Sequence, residues 1–108
     1  MKAQMNKHRS IVEAASDVFY NTGVNNILNI SSYKFVPLPD AEELRPLLLD
    51  RCLSRGLKGT ILLAEEGINL FLAGSAEAVR GFVAELHTDP RFSDIAPKES
   101  WSETVPFK

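Results

Sequence analysis

Two short apolar runs face each other across three turn residues. Gly59-Thr60-Ile61-Leu62-Leu63-Ala64 is followed by Glu65-Glu66-Gly67 and then by Ile68-Asn69-Leu70-Phe71-Leu72-Ala73. Runs of this length bounded by turn residues read as strands, and so short a link joins only antiparallel neighbours. The glycine at the end of the turn is expected to supply a positive φ. A hairpin in the middle of a short chain restricts the fold strongly, because the flanking elements must cover one of its faces.

Those flanks form two similar halves. Upstream, Ile27 to Val36 is rich in Ile, Tyr, Phe and Val and ends at Pro37 and Pro39, which reads as a strand. Asp40 is placed to cap a helix in which Leu44, Leu47, Leu48 and Cys52 share a stripe, with acidic residues at its start and Arg51 and Arg55 at its end. Pro46 removes one helical N–H, so a kink or a later start is expected there. Gly56 is expected to stop the helix. Downstream of the hairpin, Ser75 caps a second helix with Val79, Phe82, Val83 and Leu86 on one face, and Asp89-Pro90 ends it. Ile95 to Trp101 is a weaker strand. The order β-α-β-β-α-β predicts an α+β ferredoxin-like sandwich, an antiparallel sheet with two helices on one face, over residues 27–108.

Residues 1–26 stand apart as an extension. Ser10 and Glu13 form a capping-box pattern, and Ile11, Ala15, Val18 and Phe19 fall on one helical face, predicting a short amphipathic helix over about residues 10–20. The nine residues before it are polar and expected to be disordered.

The chain has 108 residues, enough for one domain with a modest core, and its 44% hydrophobic and 24% charged residues are those of an ordinary globular protein. The net charge of −2 provides no global field for nucleic acid, so any such contact needs a local patch, and DNA is not an expected partner. One cysteine excludes an internal disulfide, and His8 and His87 lack ligand spacing, so no metal site and no cofactor are expected. There is no apolar run of membrane-spanning length and no signal-peptide pattern, so a cytoplasmic protein without membrane contact is the expectation.

Few residues suggest chemistry. Cys52 lies on an apolar helical stripe and reads as a buried structural thiol rather than a nucleophile. Glu65 and Glu66 are turn carboxylates, and nothing near them in sequence promises the burial or shared site that acid–base work requires. Asn69 stands among apolar strand residues, where a role in satisfying backbone groups outweighs a ligand role. Lys34, Lys58 and Lys98 are expected to collect at one end or face of the sheet. Lys98 beside Trp101 offers a cation and an aromatic, the elements of base stacking and phosphate contact. No catalytic residue is identified.

Two enzyme and binding classes share this element order. An acylphosphatase needs an arginine and a glycine in the loop after its first strand, and Val36-Pro37-Leu38-Pro39-Asp40 has neither. An RNA-recognition motif places stacking aromatics on its third strand, where this chain has only Phe71 and no basic-glycine-aromatic signature.

Several segments in order carry a family resemblance. They are Tyr33-Lys34-Phe35-Val36, Lys58-Gly59-Thr60 through Glu65-Glu66-Gly67-Ile68-Asn69, Ala73-Gly74-Ser75, Asp89-Pro90-Arg91-Phe92, and Lys98-Glu99-Ser100-Trp101 ahead of Pro106-Phe107. Over residues 27–108 the chain resembles the N-terminal domain of the rhodanese-related tRNA uridine hydroxylases. The resemblance implies a ferredoxin-like domain that precedes a rhodanese-like domain. It further implies hydroxylation of a tRNA wobble uridine with molecular oxygen, at a cysteine of the rhodanese-like domain and not at Cys52. Leu70-Phe71 follows Asn69 where many members have Gly-Thr, pointing to a subgroup nearer the sulfurtransferase-named relatives. The expectation is an accessory domain that binds or orients tRNA or covers the active site of its downstream rhodanese-like partner, which lies outside this chain. Lys58, Asn69, Lys98 and Trp101 are its expected contacts. A protein-interaction module without RNA contact is the alternative.

Overall fold

The computed structural model describes residues 10–15 and 26–103. Its elements are strand β1 (Ser10–Ala15), strand β2 (Ile27–Phe35), helix α1 (Ala41–Ser54), strand β3 (Lys58–Ala64), strand β4 (Gly67–Ser75), helix α2 (Ala76–Leu86) and strand β5 (Lys98–Ser102), with a 3₁₀ turn at Pro90–Phe92. The sheet order is β1-β3-β4-β2-β5, and every pairing is antiparallel. Without β1, the order β3-β4-β2-β5 is the ferredoxin-like sandwich expected from the element order. β2 and β4 are its central strands.

β1 corrects the expectation of a helix over residues 10–20. Residues 10–15 pair in register with β3, from Ser10 opposite Leu63 to Ala15 opposite Lys58. A six-residue window fits both periods, an isolated helix this short is marginal in water, and the edge of β3 provides ladder partners that local capping cannot match. The rest of the expected helix, and the expected disorder of residues 1–9, lie outside the described residues.

α1 runs unbroken through Pro46. Pro46 lies early in the helix, and the carbonyl it leaves without a helical donor belongs to exposed Glu42. The core stripe of α1 is Ala41, Leu44, Leu48 and Cys52, whereas Leu47 is 46% exposed and lies outside it. The helix ends in a Schellman motif. Gly56, at φ 70°, donates to Leu53 O over 3.1 Å and Leu57 donates to Cys52 O over 3.0 Å. α2 begins as expected, with Ser75 Oγ accepting from Ala78 N at 3.1 Å, and buries Val79, Phe82 and Leu86.

The hairpin turn holds a further correction. Gly67 does not take a positive φ; among the described residues only Gly56 and Gly59 do. Gly67 is required for a different reason: a Cβ there would run into the Lys34 carbonyl of the neighbouring strand. The turn is held from outside, because Val36 N and Leu38 N donate to the carbonyls of Glu66 and Glu65 at 3.0 and 2.8 Å.

Both helices cover one face of the sheet. Leu28 and Ile30 of β2, Ile61 and Leu63 of β3, and Ile68, Leu70 and Leu72 of β4 point into that core, with Phe82 and Phe92 among the largest fully buried side chains. The alternate residues of each strand form the outer face. No helix among the described residues is long and apolar enough to cross a membrane.

Candidate nucleic-acid interface

The register sorts the outer face into rows. One row reads Leu62, Asn69, Tyr33 across β3, β4 and β2. The next reads Thr60, Phe71, Ser31, Lys98, and a third reads Lys58, Ala73, Asn29, Ser100. At the hairpin end the row is Ala64, Gly67, Phe35. Tyr33 and Phe71 are therefore diagonal neighbours, within reach of aromatic side chains.

This face is open at one end and closed at the other. Tyr33, Phe35 and Phe71 are 70%, 79% and 48% exposed, and Asn69 is exposed between them. Ile27, Asn29 and Ala73, toward the other end, are buried. Asn29 ties β2 to β5 there, its Nδ2 donating to Ser100 O at 3.3 Å and to Ser102 Oγ at 3.0 Å. At the open end, Tyr33, Phe35, Leu62, Ala64, Gly67 and Asn69 line a hollow of about 220 Å³.

Three of the four expected contact residues share the outer face. Asn69 lies in the row of Tyr33, Lys98 in the row of Phe71 two strand spacings away (about 10 Å between backbones), and half-buried Lys58 in the row where the face closes. Trp101 is not with them. It is paired with core-facing Leu28, so it projects on the helix side of β5. The Arg80 guanidinium lies over its ring at 5.8 Å while pairing with Glu99 at 3.1 Å. Lys98 and Trp101 therefore do not form the cation–aromatic pair anticipated: residues three apart on a strand face opposite ways. Lys34 also leaves the expected cluster, donating on the helix side to Arg91 O at 2.7 Å and to Asp94 at 2.5 Å.

Tyr33 and Phe35 were absent from the expected contact set. Their spacing in a strand put them on one face, and the register with Asn69 shows which one. They stand on β2, whereas the stacking aromatics of an RNA-recognition motif are expected on its third strand, here β4, where Phe71 stands.

Other candidate groups have structural settings. Cys52 is buried, and desolvation pushes its thiol up to about 12, so the thiolate is scarce at neutral pH. The amides of Val36 and Leu38 are committed to the hairpin turn and Pro37 and Pro39 have none, so the loop after β2 presents no phosphate cradle. No group of acidic, histidine or cysteine side chains among the described residues has metal-binding geometry.

Residues 27–108 match the family model described as the UPF0176 acylphosphatase like domain. The chain belongs to this family, the N-terminal domain of the tRNA uridine(34) hydroxylases. It is similar to the tRNA uridine(34) hydroxylase of Delftia acidovorans, 65% identical over 85 residues that make up 79% of this chain and 32% of that protein. The enzyme of the same name from Cupriavidus taiwanensis is 68% identical over 82 residues, 76% of this chain and 29% of the relative. That of Bordetella avium is 60% identical over 82 residues, 76% of the chain and 34% of the relative. The chain thus spans about a third of the length of the relatives it matches. All three carry the hydroxylase name, whereas the Leu70-Phe71 departure had pointed toward sulfurtransferase-named relatives. β1 lies outside the matched region.

Proposed function

We propose that this domain is the accessory N-terminal part of a cytoplasmic enzyme that hydroxylates the wobble uridine of tRNA, and that the open end of its outer sheet face contacts the tRNA. The reaction belongs to a downstream rhodanese-like domain, which supplies the reactive cysteine. Family membership and the relatives' shared name support the enzyme assignment. One observation carries the RNA role: Tyr33, Phe35, Phe71 and Asn69 lie exposed on one face of the two central strands, with Lys98 beside them. Aromatics on the central strands of an open four-stranded sheet are how RNA-recognition motifs stack unpaired bases. The parallel is one of fold and surface chemistry, not of descent. Lysines on the same face supply the phosphate attraction that net charge does not.

The test is binding of unmodified tRNA to the 108-residue chain over a range of salt concentrations. Lys98→Ala and Lys58→Ala are each expected to weaken binding and to reduce the salt slope by about one. Unchanged affinity and slope in both variants would remove those lysines from the interface. The alternative, docking of another protein domain on the same aromatics, is favoured by the high exposure of Tyr33 and Phe35. It predicts that an isolated downstream domain, and not tRNA, protects this face.

A further inference from the structure

We propose that the hollow at the open end of the outer face seats one unpaired nucleobase of a single-stranded RNA segment. This rests on the reading of the face as an RNA surface and specifies what the surface holds.

The hollow is shaped by side-chain size. Across from Phe35 the row continues with Gly67 and Ala64, so one flank of the ring has no tall neighbour and the floor stays low. No side chain is admissible at residue 67, since a Cβ there meets the Lys34 carbonyl. Tyr33 and Leu62 form the walls in the next row. The Tyr33 and Phe35 rings meet edge to face, with centroids 5.7 Å apart and planes at 69°. Such a pair leaves a ring face without a stacked partner, and a planar base is the group that gains most by filling it.

Asn69 decides between a base and an aliphatic side chain. Its amide stands exposed beside Tyr33 on the rim of the hollow. An apolar occupant would strip water from that amide and return nothing. A nucleobase edge presents donors and acceptors together, matching the donor and acceptor of one carboxamide. Lys98, in the adjoining Phe71 row, is placed toward the strand's phosphates.

The experiment measures binding of the chain to an oligouridylate strand and to duplex RNA of the same length. Tyr33→Ala and Phe35→Ala are each expected to weaken oligouridylate binding roughly tenfold, the effect of losing one base stack, and to leave duplex binding unchanged. Tyr33→Phe and Phe35→Tyr keep a ring and retain affinity. Phe35→Leu keeps the apolar area but not the π-face, and behaves like alanine. A 5-iodouridine strand cross-links to Tyr33 or Phe35. Full affinity in both alanine variants, with loss only in Lys98→Ala, would overturn the base seat and leave the RNA face standing. Full affinity in Phe35→Leu with loss in Phe35→Ala would show an apolar socket instead, which also overturns it. No binding of either RNA by the unaltered chain removes both readings together.

Discussion

Arg91 holds two carboxylates from different parts of the chain. Its Nη1 donates to Asp40 at 2.6 Å and its Nη2 to Asp89 at 2.7 Å, while Asp89 also accepts from Arg91 N at 2.9 Å. Asp40 sits at the N-cap of α1 but makes no side-chain capping bond, because its carboxylate is turned toward Arg91. The Asp89-Pro90-Arg91-Phe92 string thus becomes a clasp, with Phe92 buried beneath it and the loop tied to the start of α1. The guanidinium holds Asp89 and Asp40 below their ordinary value of 3.8. Asp94, beside Lys34, and Glu85, beside Arg55, are lowered in the same way.

The sign of the pH effect follows from these shifts. The unfolded chain takes up protons at the ordinary values, 3.8 for these aspartates and 4.5 for Glu85, before the folded chain does. Their stabilisation is fully present above those values and is lost as pH falls through the lower folded ones. Urea unfolding should therefore give a flat midpoint from neutral pH down to about 5 and a falling one below about 4. Arg91→Ala should lower the midpoint at neutral pH and flatten the acid limb. An equally steep acid limb in the variant would deny the clasp its role.

At the level of elements, the hairpin and the two helices were legible because their periods are long and their stops are specific. Ser75 caps α2, Gly56 ends α1, and the stripe through Val79, Phe82 and Leu86 is buried as its spacing demands. The failures have physical causes. β1 reads as a helix in sequence because six residues beginning Ser-Ile-Val carry a capping box and a β-branched pair at once, and the edge of β3 decides between them. Gly67 is constrained by the approach of a neighbouring strand and not by its dihedral. Gly59 is where the dihedral matters: it lies in β3 at φ 135°, and a Cβ there would strike the Phe71 carbonyl of β4. Gly59→Ala is expected to lower stability by about 2 kcal/mol or more, through strain and a loosened ladder. Chemical denaturation with an unchanged m-value would record it, and a loss within 0.5 kcal/mol, the range of ordinary surface substitutions, would contradict it.

At the level of the whole molecule, the asymmetry of the sheet organises everything else. Both helices lie on one side, so the alternate residues of β2 and β4 face away from them, and toward the hairpin end Tyr33, Phe35 and Phe71 are exposed. Which residues those are depends on the register between strands far apart in sequence. Asn69 and Lys98 were identified from local pattern and do share the face. Trp101 was grouped with Lys98 by nearness in sequence, and strand alternation separates them. Tyr33 and Phe35 stood in plain view as a strand pair, but only the placement of the helices shows that their side is the uncovered one.

The claim that this face receives RNA is tested most directly by NMR, titrating the isotopically labelled chain with an unmodified anticodon stem-loop. The account predicts shifts concentrated on Tyr33, Phe35, Asn69, Phe71 and Lys98, with Trp101 and the outward residues of α1 and α2 unmoved. Shifts centred on the helices or on Trp101, or none at RNA concentrations that saturate other tRNA-binding domains, would contradict it.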